Sequence, residues 1–387
     1  MPDPIPKPPY GDVPFPQNYP NPTDTATPSL RERIIAAITK RGGLSFPEYL
    51  AFALYDQKYG YYARDTPQVG RQGDFYTSVS VGALFGKLLA RRFIEWWEAN
   101  GKPTEWRILE IGAHDGMLAA DILEELRLLR PDAWQALEYA IPEPLPRLRD
   151  LQKARLQSLA SNLVVAGSFG ELNARALPGI AFGNEILDAL PFHLIERKGG
   201  RWNELHVIAD GNGTLALEPR ETSMELGSAF PEGYRTEVRT NFPDFLSDVA
   251  SCLTDGLMIF ADYGFAAPEY YDIHRSSGTL RTFTSHIAGE DPFAAPGEMD
   301  ITAHVDFTGL AKSAIAIGYS PTVFTSQGSY LTQLAKSLIL GGGMNDAKTI
   351  AQFRSLTHPA HLGAKFHVIE LERGGRVSPG VSHRLAL

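Results

Sequence analysis

Nine consecutive residues, Ile108-Leu109-Glu110-Ile111-Gly112-Ala113-His114-Asp115-Gly116, hold the densest chemical signal in the chain. They read as an apolar strand that runs into a glycine turn and then a helix. Gly112 lets the backbone turn tightly, and Gly116 lets the helix N-terminus come close to a ligand. Glu110, at the strand end, would attract a positive group such as the sulfonium of adenosylmethionine. Against the pyrophosphate of a dinucleotide the same carboxylate would be unwelcome. His114 replaces the middle glycine of G-x-G-x-G, so a purely structural turn is the competing reading.

Other acidic residues fall at the ends of later strands. Glu143, 27 residues after Gly116, can accept both hydroxyls of a ribose. Glu138 competes for that role from nearer the strand's start, and a solvated surface glutamate is the bland alternative. In Gly183-Asn184-Glu185-Ile186-Leu187-Asp188-Ala189-Leu190-Pro191, Asn184 offers a carbonyl and Glu185 and Asp188 offer carboxylates. These groups suit an amine or guanidinium held through its N–H bonds, although Asp188 could simply cap a turn. Asp262 in Phe260-Ala261-Asp262-Tyr263-Gly264 lies at the same edge of the next strand. In Asp300 to Phe307, Thr302 or Asp306 could cap the following helix. His286 and His304 lack the spacing of a metal pair, so no metal is expected.

The elements that would position these groups follow from periodicity. Strands are expected at Arg107–Ile111, Ala136–Ile141, Leu163–Ala166, Gly179–Phe182, Leu257–Ala261, Ser320–Phe324 and Phe366–Leu371, with helices between them. That alternation predicts an α/β fold built on a parallel sheet. Phe192–Glu196, Trp202–Ile208 and Thr214–Leu217 interrupt it as an antiparallel meander. Helices are expected at Leu30–Lys40, Phe46–Leu54 and about Gly82–Asn100, ahead of the sheet. Gly264–Met299 reads as a long irregular insertion, and two helices are expected within Ser329–Ser355. By segment, 1–28 is a proline-rich disordered tail, 29–103 a helical extension, and 104–372 the main domain. That domain carries insertions at about 192–240 and 264–300, and 373–387 is a C-terminal tail.

With 43% hydrophobic and 21% charged residues the balance is globular, and the net charge of -9 has no basic block for nucleic acid. The single cysteine, Cys252, excludes an intramolecular disulfide and reads as a buried inert thiol. The N-terminus lacks the pattern of a signal peptide and no apolar run reaches bilayer length, which makes cytoplasm the expectation.

Several ordered segments together resemble one family. Ser45-Phe46-Pro47-Glu48-Tyr49, Tyr59-Gly60-Tyr61-Tyr62, Gly73-Asp74-Phe75 and Leu84-Phe85-Gly86 resemble the opening of the MidA-like methyltransferases, relatives of a mitochondrial arginine methyltransferase that assists assembly of respiratory complex I. Asn184-Glu185, Asp188 to Pro191, Asp262-Tyr263-Gly264, Gly278-Thr279-Leu280 with His286, Asp300 to Phe307 and Gln327-Gly328 continue it in order. The pattern departs at His114, where the family has the glycine of E-x-G-P-G-x-G, and at Ser80, where many members carry a glutamate.

The resemblance implies a Rossmann-like class I methyltransferase fold with a mostly parallel seven-stranded sheet, and S-adenosyl-L-methionine as cofactor. It implies cofactor contacts from Gly73, Asp74, Thr77, Glu110, Gly112, Gly116, Glu143 and Asn184. Asn184 and Glu185 would orient the acceptor nitrogen, with Asp188, Asp262 and His286 completing an acidic site. The implied acceptor is an arginine of a protein, a respiratory-complex subunit among the candidates, with no nucleic-acid partner and no membrane span. The rivals are a small-molecule methyltransferase, an assembly factor that binds the cofactor without turnover, and, more weakly, an NAD-linked dehydrogenase.

Overall fold

The computed structural model describes residues 28–64, 77–284 and 287–387. Its central sheet has seven main strands: β1 (Trp106–Ile111), β2 (Leu137–Pro142), β3 (Asn162–Ala166), β4 (Leu177–Asn184), β5 (Leu253–Phe265), β6 (Tyr319–Ser326) and β7 (Phe366–Arg373). They lie in the order β6-β7-β5-β4-β1-β2-β3, and the two-residue strand Val305–Asp306 pairs with the end of β5. Strands β1 to β5 run parallel, whereas β7 is antiparallel to both β5 and β6. This is the mostly parallel α/β sheet that the alternation predicts.

Strands β1 and β2 are buried at all six of their positions because helices cover both faces of the sheet. On one face, helices Leu84–Ala99, Met117–Leu129 and Gln327–Leu334 supply apolar side chains; on the other, Phe242–Ser251, Phe307–Ala316 and Pro379–Leu385 do so. The chain builds outward from β1 through β2 to β3, then returns to the other side of β1 as β4. The loops leaving β1 and β4 therefore diverge and open a crevice at their carboxyl ends, where α/β sheets bind ligands.

Residues 29–103 divide between two cores. Helix Leu84–Ala99 packs on the sheet, while helices Leu30–Arg41 and Phe46–Tyr55 form a separate core with the meander. The meander comprises His193–Lys198, Arg201–Ala209 and Leu215–Glu221, joined by the strands Leu44–Ser45 and Arg235–Val238. Leu30–Arg41 starts on a capping box between Ser29 and Glu32 and stops at Gly42, whose φ of 74° suits a glycine C-cap.

Four expectations about elements are corrected. The segment Gly264–Met299 is not irregular throughout: Arg281–Thr284 pairs with Ile287–Gly289 and with Asp300–Thr302 in a small antiparallel sheet. Ser329–Ser355 gives way to three helices, Gln327–Leu334, Lys336–Leu340 and Ala347–Thr357, because Gly341-Gly342-Gly343 break the middle. The helix expected at Gly82–Asn100 starts at Leu84, after a separate turn Ser78–Val81. Residues 373–387 are no free tail, since helix Pro379–Leu385 buries Val381 and Leu385 against the sheet's second face. No helix among the described residues is long and apolar enough to cross a membrane. The 1–28 tail, apart from Pro28, lies outside the described residues.

Candidate active site

A cavity of about 790 Å³ occupies the crevice between the ends of β1 and β4. One arm lies over the glycine turn. Glu110 ends β1 almost fully buried and accepts a hydrogen bond from Tyr139 Oη at 2.8 Å. Burial pushes its carboxyl up to about 8, against the tyrosine's bond. Gly112 adopts φ 73°, and a Cβ there would lie 2.5 Å from Ile186 Cγ2. The turn is thus held against the loop after β4, and the glycine is required by that contact as well as by its backbone angle.

Glu143 follows β2 and lines the same arm. Its carboxylate accepts from Leu145 N at 2.9 Å and Gln152 Nε2 at 3.1 Å, and burial raises its pKa. Glu138 is elsewhere, at the start of β2, where it pairs with the buried Arg107. That guanidinium also bonds the carbonyls of Leu172, Arg175 and Cys252, which makes the pair a structural one. Gly116 does not line the cavity. It caps helix Met117–Leu129 at φ 79°, and a Cβ there would press on Leu156, so the glycine is needed for packing at the helix start.

His114 has φ 47°, the left-handed conformation expected of the glycine it replaces. Its imidazole lines the cavity, and its carbonyl accepts from Gln152 Nε2 at 2.8 Å. The Ser80 departure has a similar resolution. Ser80 Oγ accepts from Thr77 N at 2.8 Å while Thr77 Oγ1 accepts from Ser80 N, so a hydroxyl completes the capping box that a glutamate would otherwise close. Thr77 and Ser80 both line the cavity.

The other arm is acidic and aromatic. Asn184 and Glu185 leave the end of β4, and Glu185 is also left-handed, at φ 55°. Its Oε1 accepts from Asn184 Nδ2 at 2.9 Å and from Ser78 N at 3.2 Å, and burial pushes the carboxyl up to about 8. Asn184 Oδ1 is buried with no hydrogen-bond partner among the described residues. Asp188 faces the same space, raised by burial and opposed by Arg239. Tyr55, Tyr62, Tyr263, Asp300 and His304 complete this arm. His304 stays neutral, pushed down to about 4 by burial and by the positive charges of Arg275, Arg239 and Arg281.

Asp262 is fully buried and does not line the cavity, contrary to the expectation that it shapes the acidic pocket. Its Oδ2 accepts from the backbone N–H groups of Ile186, Leu187 and Asp188, and its Oδ1 from that of Tyr263. It therefore shapes the loop that carries Glu185. Gly73, Asp74 and His286 lie outside the described residues.

Sequence reasoning missed Arg239, which donates to the carbonyls of Asp188, Leu190, Ala303 and His304 and so ties the loop after β4 to the segment ahead of Val305. Nothing in its local sequence marks it, because all four partners are remote. Tyr62 and Asp300, joined at 3.0 Å, were legible as motif members but not as neighbours.

Residues 88–325 match the model of a family of S-adenosyl-L-methionine-dependent methyltransferases. The chain belongs to that family. The MidA-like resemblance stands with it: the chain is 27% identical to the mouse mitochondrial protein arginine methyltransferase NDUFAF7, over 95% of this chain and 90% of the relative. The human protein of that name is 28% identical, over 74% and 69%. A Burkholderia thailandensis structure bound to S-adenosyl-homocysteine superposes with a TM-score of 0.79 at 28% identity, covering 92% of this chain and 94% of that one. The chain is a methyltransferase of the Rossmann-like class with S-adenosylmethionine as cofactor. The cytoplasmic expectation is overturned, since the curated relatives from fly, mouse and human are all named mitochondrial.

The residues of this methyltransferase's crevice fit that cofactor. The cradle at Gly112 is open to the cavity, Glu110 and Glu143 are buried acceptors beside it, and the unpartnered Asn184 Oδ1 awaits a donor.

Proposed function

We propose that this methyltransferase modifies an arginine nitrogen of a protein. The observation that carries the reading is the placement of Glu185 and Asp188, with Asp300 nearby, around tyrosines in the arm next to the cofactor turn. Carboxylates and π-faces together favour a planar cation. When bound, the cofactor supplies a methyl group on a sulfonium with a good leaving group.

Glu110, Gly112 and Glu143 hold the cofactor arm, with Thr77 at its rim. Glu185 accepts N–H bonds from the guanidinium, which localises positive charge away from the attacking nitrogen and frees its lone pair. Asp188 lies beside Glu185, and Tyr55 and Tyr62 line the wall that the guanidinium plane would face. Burial raises the Glu185 carboxyl, and a guanidinium held beside it would draw its proton off and form an ion pair with it. Glu185 would take the proton that the nitrogen loses as it gains the methyl group, which the cofactor would supply while departing as S-adenosylhomocysteine. The names of the curated relatives support the same acceptor class.

The test is incubation with S-adenosylmethionine carrying a tritiated methyl group and a protein lysate, followed by amino-acid analysis. Label in methylarginine is expected. Label confined to small molecules, or to other side chains, overturns the acceptor assignment.

A further inference from the structure

The helices between β6 and β7 take no part in the chemistry above, yet two of their glutamines grip the segment that leads into Leu84–Ala99. Gln352 Oε1 accepts from Leu84 N at 3.0 Å. Gln327, fully buried at the start of its helix, accepts from Ser78 Oγ at 3.0 Å and donates from Nε2 to the Leu356 carbonyl at 3.2 Å. Ser78 is also fully buried, and its N–H donates to Glu185 Oε1 at 3.2 Å. Neither Gln327 nor Ser78 lines the cavity.

Glu185 needs such support. A residue with a Cβ at φ 55° persists only where its surroundings fix it. Its own N–H bonds the Ala261 carbonyl at 2.8 Å, and its carboxylate meets Asn184 Nδ2 and Ser78 N. Of these three contacts, only the one from Ser78 comes from outside the sheet and its loops.

We propose that Gln327 is a positioning residue for methyl transfer, holding Ser78 so that its N–H aims the Glu185 carboxylate at the acceptor nitrogen. The proposal rests on the role given to Glu185 above. Gln327→Met keeps the side-chain length and loses both polar ends. Ser78→Ala cuts the same link from the other side, and serves if the first variant does not fold. Gln327→Glu keeps the oxygen that Ser78 needs.

Each full-length variant is measured for cofactor affinity by calorimetry. Each is also assayed for transfer of tritiated methyl into lysate protein between about pH 6 and 9. Gln327→Met and Ser78→Ala should lower transfer by about ten- to a hundred-fold, the scale for misplacing one oriented group. Cofactor affinity should stay within about two-fold in both, because the cofactor arm is untouched. Gln327→Glu should recover most of the transfer. The acidic limb of the pH profile should move upward in the first two variants, since an N–H that favours the charged carboxylate is loosened. The other groups facing that carboxylate, Asn184 and Asp188 on its loop and Asp262 and Tyr263 on β5, are the same in every variant.

Wild-type transfer in both Gln327→Met and Ser78→Ala overturns the proposal. So does an equal loss in Gln327→Glu, or a parallel loss of cofactor affinity. If wild-type label lies on an acceptor other than arginine, the arginine assignment alone fails, and the comparison is read on that acceptor. If the wild type transfers nothing, crystals of Ser78→Ala decide: an unchanged left-handed Glu185 refutes the brace, and a relaxed one supports it.

Discussion

Glu185→Gln should make the cofactor-free protein more stable while disabling it. The carboxyl is raised from 4.5 to about 8 in the folded chain, chiefly by burial and with Asp188 adding to it. An unfolded chain releases this proton above pH 4.5, and the folded chain keeps it until about pH 8. Ionisation therefore favours the unfolded state across that window, and the cost of Glu185 grows as pH rises through it. At pH 7 that cost is at most about 3 kcal/mol. Glutamine keeps the shape and the acceptor oxygen for Ser78 and Asn184, and it does not titrate. Its advantage should thus be close to nothing below pH 4.5, reach on the order of 1–3 kcal/mol near pH 7 and go on rising to about pH 8. Denaturant melts of both proteins at several pH values measure this directly. Methyl transfer should fall by at least about a hundred-fold in the same variant. A variant that is equally or less stable at every pH would show that Glu185 braces the loop as a charged group and that burial does not hold it protonated.

Gly112→Val should abolish cofactor binding by calorimetry. It should also lower the melting temperature, because the new side chain strikes Ile186 and a β-branched residue is strongly disfavoured at a φ of 73°. Glu143→Ala should weaken cofactor affinity roughly ten- to a hundred-fold through lost charge-assisted bonds. Glu138→Ala should instead cost about 3–5 kcal/mol of stability by stranding Arg107, with cofactor affinity retained in the folded fraction. His114→Gly should relieve roughly 1–2 kcal/mol of left-handed strain against roughly 0.5–1 kcal/mol of added chain entropy, a small net gain visible in denaturant melts.

The sheet was legible because its strands are short apolar runs and the longer covering helices, such as Leu84–Ala99 and Met117–Leu129, repeat apolar residues at helical spacing. Met117–Leu129 is recovered residue for residue. The strand-end acids Glu110, Glu143 and Glu185 were legible for the same reason, since a loop's place in a parallel sheet follows from the strand before it. Contacts between distant segments were not. Arg239 earns its place only through carbonyls 49 to 65 residues away. Asp262 looked like a pocket acid because sequence gives the end of the strand and not the side of the loop its carboxylate faces. Helix Pro379–Leu385 was hidden by its short length, its stability coming from packing rather than propensity.

The division of the chain into two cores bears on how such a protein can change its acceptor. Glu110, Gly112, Glu143 and Glu185 stand on the sheet, whereas Tyr55, Tyr62, Asp300 and Thr302 reach the cavity from the helices and small strands around the meander. Drift in the smaller body can resculpt the mouth that meets an acceptor while the methyl-donor cradle is inherited intact. Under the proposed reaction, its two halves rest on separate packing.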